Sequence, residues 1–273
     1  MSVTIQHIRE GIRALGLSGK PLCIHASLRS FGQVEGGART VIEGVLEEGC
    51  TLMMPTFSWS ALGVPAPEGV RPRRNGTSPV YAEFLFRHTE VYDHNQNVID
   101  RYDMGMIPSM LLQRKDRLRG DHPLCSFAAV GPLAKALVSH QTWDDVYAPF
   151  RALIDLHGWV LMMGVGLRRM TLLHYAEQRA GRNLFLRWAN APNGSVVGVE
   201  VGGCSEGFDH FDSVLRPLER QQTVGLSLWR AFPARQTLTA AAAAIRRDRY
   251  FTHCGSSFCA RCDDAAVGGR VIE

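Results

Sequence analysis

Apolar and polar residues alternate along the chain with periods that change several times, and these changes mark the predicted elements. Residues 4–16 carry apolar side chains at helical spacing, and the apolar run PLCIHAS, residues 21–27, predicts a buried strand. A glycine-rich loop follows, then the amphipathic segment ARTVIEGVLEE, residues 38–48, and a second apolar run, GCTLMMPTFS, residues 49–58. This order of helix, strand, loop, helix and strand predicts a layered α/β fold.

The second half repeats the pattern. FRALIDLHG and MTLLHYAEQRAG predict helices that end at Gly158 and Gly181, and WVLMMGVG, residues 159–166, predicts a buried strand between them. Residues 184–201 alternate in polarity and predict a β-hairpin that turns at PNG, residues 192–194. We expect all 273 residues to form a single domain.

The composition adds no element to this prediction, but it argues against several classes of protein and partner. Hydrophobic residues make up 45% and charged residues 21% of the chain, and no apolar run reaches the length of a membrane span. The net charge of +4 is spread along the chain, so we expect neither nucleic acid nor a membrane surface as a partner. Arg9 and Arg13 interrupt the first apolar pattern, which is therefore not typical of a targeting segment, and we expect a cytoplasmic protein.

The loop HASLRSFGQVEGGART, His25 to Thr40, is the first candidate for chemistry. Gly36 and Gly37 precede a predicted helix, whose N-terminal N–H groups would favour a phosphate, and Ser27 and Ser30 add hydroxyl groups. The loop matches neither the GxxxxGK[ST] nor the GxGxxG pattern, nor the GxSxG context of a serine nucleophile. Its residues alone leave open an anion site or a simple helix entry.

The segment GVGLRRMTLLHYAE, Gly164 to Glu177, is the second candidate. It carries His174 and Glu177, three residues apart on nearly one face of a predicted helix that follows a buried strand. A histidine beyond the carboxyl end of a strand is well placed to be a general base. The alternative is a half-buried histidine that bonds only its own glutamate.

Two further residues add hypotheses. His122 precedes Pro123, so it is either a substrate contact or a loop histidine stiffened by the proline. Glu200 lies on a predicted strand from which its carboxylate could orient the imidazole of His174.

The cysteines form the last pattern. The segment HCGSSFCARC has the spacing C-x4-C-x2-C, and Cys204 lies elsewhere in the chain; together Cys204, Cys254, Cys259 and Cys262 could bind a structural zinc ion. Because only one CxxC pair is present, free thiols are the alternative.

In this order the motifs resemble the aminoglycoside 3-N-acetyltransferase, or antibiotic N-acetyltransferase, family. The resemblance covers most of the chain and rests on IHASLRSFGQVEGGARTVIEGVL, GCTLMMPTFS, MGMIPSML, HPLCSFAAVGPLA, GWVLMMGVG and LLHYAE. It implies a layered α/β/α fold unrelated to the GNAT superfamily, with a cleft between a coenzyme A-binding part, about residues 1–135, and a catalytic part, about residues 136–273.

The resemblance also implies roles for individual residues. His174 matches the proposed general base, with Glu177 or Glu200 as its carboxylate partner, and His122 matches a position near the acceptor. The positions implied to contact acetyl-coenzyme A are Ser27, Leu28, Ser30, Val34 and Gly37.

Two departures concern the acceptor. Family members commonly show GVGHDxNT where this chain has GVGLRRMT, so Arg168 and Met170 replace polar residues, and Gly202 stands where a second acid is expected. Two arginines would repel a polycationic acceptor by roughly 1 kcal/mol each.

The resemblance implies an acetyl-coenzyme A-dependent N-acetyltransferase, an enzyme of the antibiotic-resistance type that acts on a small-molecule amine such as an aminoglycoside. One alternative is an acyltransferase for an amino or hydroxyl group of another natural product or metabolite, with Arg168 and Arg169 near an anionic group of the acceptor. The other is a zinc-stabilised binding protein without catalysis. The sequence leaves the oligomeric state open.

Overall fold

The computed structural model describes residues 2–70, 72–77 and 88–271. The strands are β1 Pro21–Ala26, β2 Thr51–Pro55, β3 Gly63–Val64, β4 Leu118–Arg119, β5 Phe127–Val130, β6 Trp159–Met163, β7 Phe185–Asn190, β8 Val196–Val201, β9 Arg220–Val224 and β10 Ser227–Pro233. The α-helices are α1 Ile5–Ala14, α2 Ala38–Glu47, α3 Trp59–Leu62, α4 Arg101–Met104, α5 Met106–Leu112, α6 Ala134–Val138, α7 Ala148–Asp155, α8 Leu172–Arg179, α9 Asp212–Leu215, α10 Ala234–Arg247 and α11 Ala260–Ala266. Short 3-10 turns include Leu28–Phe31, Leu167–Arg169 and Phe208–Phe211. None of the described helices has the length and apolar character that crossing a bilayer requires.

A seven-stranded sheet with the order β4-β5-β2-β1-β6-β10-β9 forms the centre of the fold. Strands β1, β2 and β6 run parallel, and the flanking strands pair antiparallel. Strand β1 pairs with β2 on one side and with β6 on the other, where Cys23 lies opposite Val160. The strands from the first and second halves of the chain therefore join along β1 and β6.

Helices cover both faces of this sheet because successive strand side chains point to opposite faces. Leu22 and Ile24 belong to a buried cluster with apolar side chains of α1, α2 and α5, whereas Cys23 and Met162 belong to a second cluster with α7, α8 and α10. The predicted layered α/β/α architecture is confirmed.

The predicted hairpin is also confirmed. Strands β7 and β8 pair antiparallel from Phe185 opposite Val201 to Asn190 opposite Val196, and the Gly194 N–H donates to the Ala191 carbonyl in the turn. Strand β3 adds to this pair to give a separate three-stranded sheet. The hairpin brings the end of β8 towards helix α8, which carries His174.

The carboxyl ends of the parallel strands β1, β2 and β6 meet at one edge of the large sheet. The turns Leu28–Phe31, after β1, and Leu167–Arg169, after β6, lie at this edge. Because β1 has its two parallel partners on opposite sides, the edge has the topology at which open α/β sheets bind ligands.

Candidate active site

The loop after β1 is fixed against the turn after β6. The Ser27 N–H donates to the Met163 carbonyl at 3.0 Å, and Ser30 Oγ donates to the Ser27 carbonyl at 2.7 Å. Ser30 Oγ also lies 2.8 Å from Ser227 Oγ, at the start of β10. Gly164 has φ +67°, and a Cβ there would overlap Ser30 Oγ. The close approach of the two turns therefore requires glycine at residue 164.

The five positions expected to contact coenzyme A all lie in this loop and are half-buried: Ser27, Leu28, Ser30, Val34 and Gly37. Val34 forms an isolated parallel bridge with Val3. Gly37, with φ 61°, is the N-cap of α2, and no side chain among the described residues caps this ten-residue helix. The first N–H groups of α2 are thus open to an anionic ligand. Contact between these residues and coenzyme A stays a prediction.

His174 is joined to Glu177 within helix α8. Its Nδ1 lies 2.9 Å from Glu177 Oε2, and the two side chains are 13% and 7% exposed. The spacing of three residues places both on one face of the helix, as the sequence predicts. Glu177 is therefore the carboxylate that orients the imidazole.

Glu177 is itself held by two residues that the sequence did not indicate. Its Oε1 accepts a hydrogen bond from Thr252 Oγ1 at 3.0 Å and forms a buried ion pair with Arg182. Burial alone would raise the pKa of the Glu177 carboxyl, but the hydrogen bond to His174, the charges of His174 and Arg182 and the Thr252 hydroxyl together lower that pKa. Arg182 lies just beyond the end of α8, whereas nothing in the local sequence marks Thr252.

This environment assigns the tautomer of His174. An ionised Glu177 can only accept, so in the neutral ring the proton lies on Nδ1 and the lone pair on Nε2. Within the described part of the chain, Nε2 forms no hydrogen bond with protein. A neutral imidazole fixed in this way can take a proton at Nε2.

Two contacts fix the position of the imidazole ring. The ring of Phe208 lies 4.7 Å from it, centroid to centroid. Gly202, just after β8, passes so close that a Cβ there would lie 2.7 Å from both His174 Cγ and Tyr147 Oη. Glycine at this position lets the backbone pack against the ring, and an acidic side chain would displace it.

The expected contact between Glu200 and His174 is wrong. The Glu200 carboxylate pairs with Arg270 at 3.3 Å, and His174 Nδ1 is bound by Glu177. Burial raises the pKa of the Glu200 carboxyl, and Arg270 offsets part of that rise.

His122 does not suit contact with a substrate, contrary to expectation. Its ring is completely buried, Nδ1 accepts from the N–H groups of Leu124 and Cys125, and Nε2 donates to the Glu200 carbonyl at 2.9 Å. Burial lowers the pKa of His122 to about 4, so the ring is neutral. It joins the loop before β5 to strand β8 instead.

The positive charge of Arg168 is compensated by two carboxylates. Its Nε donates to Asp209 at 2.6 Å and its NH1 to Glu206 at 2.8 Å, and all three side chains are about half exposed. Two carboxylates therefore compensate Arg168, while the adjacent Arg169 is also exposed. Met170, the other departure from the family pattern, is completely buried and belongs to the core.

The four cysteines of the predicted metal site lie together. Their Sγ atoms are all within 4.8 Å of one another, and no disulfide joins them. Cys262 is buried, and Cys204, Cys254 and Cys259 are half-buried.

The sequence profile of the family described as aminoglycoside 3-N-acetyltransferase matches residues 23–246, which include the loop after β1, His174 and Glu177. The chain belongs to this family. Among curated aminoglycoside 3-N-acetyltransferases, enzyme VII of Streptomyces paromomycinus is 33% identical over 189 residues, 65% of this chain and 61% of that protein. Enzyme IX of Micromonospora chalcea is 32% identical over 185 residues, 65% of this chain and 63% of that protein.

These matches span less than two thirds of either relative's length. The similarity to solved structures is more extensive. A variant of aminoglycoside acetyltransferase AAC(3)-IVa in complex with a gentamicin superposes with a TM-score of 0.77, covers 98% of each chain and is 25% identical. The fold of the aminoglycoside 3-N-acetyltransferase family thus extends over nearly all of this chain.

Proposed function

We propose that this protein transfers the acetyl group of acetyl-coenzyme A to an amino group of an aminoglycoside or a similar cationic amine. The observation that carries the proposal is the pair His174–Glu177 at the carboxyl edge of β1 and β6, with Nδ1 bound and Nε2 open. Family membership supports the reaction class, and this geometry supports His174 as the base.

The reaction is a direct transfer. The acceptor nitrogen attacks the thioester carbonyl carbon, the new C–N bond forms, and the C–S bond breaks to release coenzyme A. His174 Nε2 takes the proton that the amine loses, and the ionised Glu177 stabilises the resulting imidazolium. Backbone N–H groups at the strand edge are suited to stabilise the oxyanion.

Coenzyme A binds, on this proposal, in a cleft between the part of the chain up to about residue 135 and the part that follows. The loop with Ser27, Leu28, Ser30, Val34 and Gly37 holds the pantetheine and pyrophosphate, because its helix N-terminus carries partial positive charge and no side-chain cap. The acceptor approaches His174 from the opposite side of the thioester.

The ion pairs of Arg168 argue against an acceptor that is held by an anionic group at this residue. Glu206 and Asp209 both pair with Arg168, and together they match the charges of Arg168 and of the adjacent, exposed Arg169. The alternative acceptor, with an anionic group near Arg168, would have to displace these carboxylates. A cationic amine needs no such exchange.

Replacing His174 tests the proposal. In His174→Ala, we expect kcat for acetyl transfer to fall by about 10²–10⁴-fold, because the proton acceptor is lost. Mass spectrometry of the acetylated product is the suitable readout, since the protein's own thiols react with reagents that detect coenzyme A. Kanamycin-like amines and acidic amines are compared as acceptors.

His140→Ala, on an exposed surface position, is the matched control and retains full activity. Turnover of His174→Ala within a few-fold of the wild type would rule out the assigned base. A preference for acidic amines would overturn the assigned acceptor class while leaving the base untouched.

A further inference from the structure

The four clustered cysteines come from two distant segments. Cys204 follows strand β8, whereas Cys254, Cys259 and Cys262 belong to the loop after α10 and to helix α11. All four Sγ atoms lie within 4.8 Å of one another. Four sulfurs at the corners of a tetrahedron with Zn–S bonds of ~2.3 Å are about 3.8 Å apart, so the observed spacing fits one ion.

The neighbouring groups also suit a thiolate centre. The Cys254 N–H points at Cys262 Sγ, 3.4 Å away, as amides do around metal-bound sulfur. His253 is excluded as a ligand because both ring nitrogens are used: Nε2 bonds Asp263 at 3.1 Å, and Nδ1 accepts from the Gly255 N–H at 3.0 Å. Four sulfur ligands leave no open position for water or substrate, which is typical of a structural zinc site.

The same two segments hold the catalytic pair. The turn that begins at Cys204 leads to Phe208, whose ring packs on His174 at 4.7 Å. Two residues before Cys254, Thr252 donates to Glu177 at 3.0 Å. The two segments also contact each other directly. A Cβ on Gly207, the residue before Phe208, would overlap the carbonyl oxygen of Thr252. Whatever fixes the cysteines relative to one another therefore fixes Phe208 relative to Thr252.

We propose that Cys204, Cys254, Cys259 and Cys262 bind one Zn²⁺ ion, and that this centre positions the His174–Glu177 pair by joining the segment of Phe208 to the segment of Thr252. The four thiols lose four protons to solvent when the ion binds, and no electron is transferred. The first half of the proposal is independent of the reaction. The second half rests on the proposed function.

Metal content tests the first half on the wild-type chain purified under reducing conditions. We expect about one zinc per chain by elemental analysis and, after replacement by Co²⁺, the intense visible bands of a tetrahedral thiolate site. In Cys259→Ser, zinc should fall at least about 5-fold, whereas Cys259→His, which keeps a ligand, restores it. Cys50→Ala, at a buried cysteine remote from the cluster, is the control and retains one zinc.

Zinc below about 0.1 per chain before and after incubation with Zn²⁺, or disulfides among these cysteines under native conditions, would overturn the metal site. A zinc-loaded protein that acetylates no amine would instead overturn the proposed function and leave the metal site supported.

Kinetics of the zinc-depleted wild type test the second half. We expect kcat to fall by up to about 10²-fold with little change in KM for acetyl-coenzyme A, because His174 is displaced while the coenzyme loop is intact. The pH profile of kcat should shift as well, since Glu177 loses its fixed partners, and added Zn²⁺ should restore both. Thr252→Val, which keeps the shape but not the hydroxyl, should shift the same profile with zinc still bound. Equal loss in kcat and coenzyme affinity, with an unchanged pH profile, would indicate general destabilisation and contradict positioning.

Discussion

The loop after β1 and the region around α8, on the two sides of the sheet edge, present different kinds of chemical group. The loop after β1 presents mainly backbone: positive-φ glycines, an uncapped helix N-terminus, and the Ser30 hydroxyl bonded to the Ser27 carbonyl and to Ser227 Oγ. The region around α8 presents side chains in a buried polar network of His174, Glu177, Arg182 and Thr252. The first is suited to bind a long anionic cosubstrate, and the second to hold one proton acceptor in one orientation.

This difference has a kinetic consequence. If His174 is the base, as proposed, changes in the polar network should act mainly on kcat, because the base is used in the transition state. Changes in the loop should act mainly on KM for acetyl-coenzyme A. A variant that changes both kcat and KM for acetyl-coenzyme A strongly would show that the loop and the polar network do not act independently.

Among the residues that hold His174 and those of the loop, the largest effect is expected for Glu177→Gln. The amide can still accept from Nδ1, but it cannot stabilise the imidazolium and leaves the Arg182 guanidinium buried without its ion pair. We expect kcat to fall by about 10²-fold, KM for acetyl-coenzyme A to change less than about 2-fold, and the free energy of unfolding to drop by about 3 kcal/mol. Steady-state kinetics and denaturant unfolding measure these quantities.

The pH dependence of unfolding gives a second readout. Because the native pKa of Glu177 lies below its ordinary value of 4.5, the ionised carboxylate stabilises the folded protein at pH above about 4.5. That contribution is lost as the pH falls through the lower native pKa. The stability difference between wild type and Glu177→Gln should therefore shrink on acidification. A larger kcat loss in Glu200→Gln than in Glu177→Gln would reverse the assignment of the orienting carboxylate.

An intermediate effect is expected for Gly37→Ala. Gly37 has φ 61° and Gly19 has φ 73°, and an added Cβ would meet nothing within 4 Å at either position. Both alanine variants should lose about 1–3 kcal/mol of stability from backbone strain. Only Gly37→Ala should raise KM for acetyl-coenzyme A, by about 10-fold, since it shifts the start of α2. Equal KM values in Gly37→Ala and Gly19→Ala would contradict the proposed contact between Gly37 and coenzyme A.

The smallest effect is expected for Ser30→Ala. It removes the hydrogen bonds to the Ser27 carbonyl and to Ser227 Oγ and costs about 1 kcal/mol of stability. We expect KM for acetyl-coenzyme A to rise about 3-fold with kcat unchanged. Ser18→Ala, which removes an exposed hydrogen bond to Glu48, is the comparison with unchanged kinetics. A large kcat loss in Ser30→Ala would point instead to a direct role of this hydroxyl in catalysis.

The features that depend on local spacing could be predicted from the sequence. Periodicity gave the layered architecture and the β7–β8 hairpin, and the three-residue interval gave the contact between His174 and Glu177. The spacing of the C-terminal cysteines predicted three members of the cluster. The fourth, Cys204, could be proposed only because it was a further cysteine in the chain.

Contacts between distant segments were harder to predict. Glu200 stood at a plausible interval from His174, but the register of β7 with β8 directs its carboxylate to Arg270. His122 had the polarity of a surface residue, yet backbone groups from its own loop and from Glu200 satisfy its ring inside the core. Thr252 carries no local pattern at all, because its role depends on where a loop after α10 returns to α8.

The pairing of β1 with β6 has a consequence for how the protein folds. The partners Cys23 and Val160 are far apart in sequence, so their contact requires closure of a long loop, which slows folding. During synthesis, the loop after β1 leaves the ribosome long before β6 and α8 exist. One edge of β1 therefore stays unpaired until β6 arrives, and β10 and β9 then extend the sheet beyond β6.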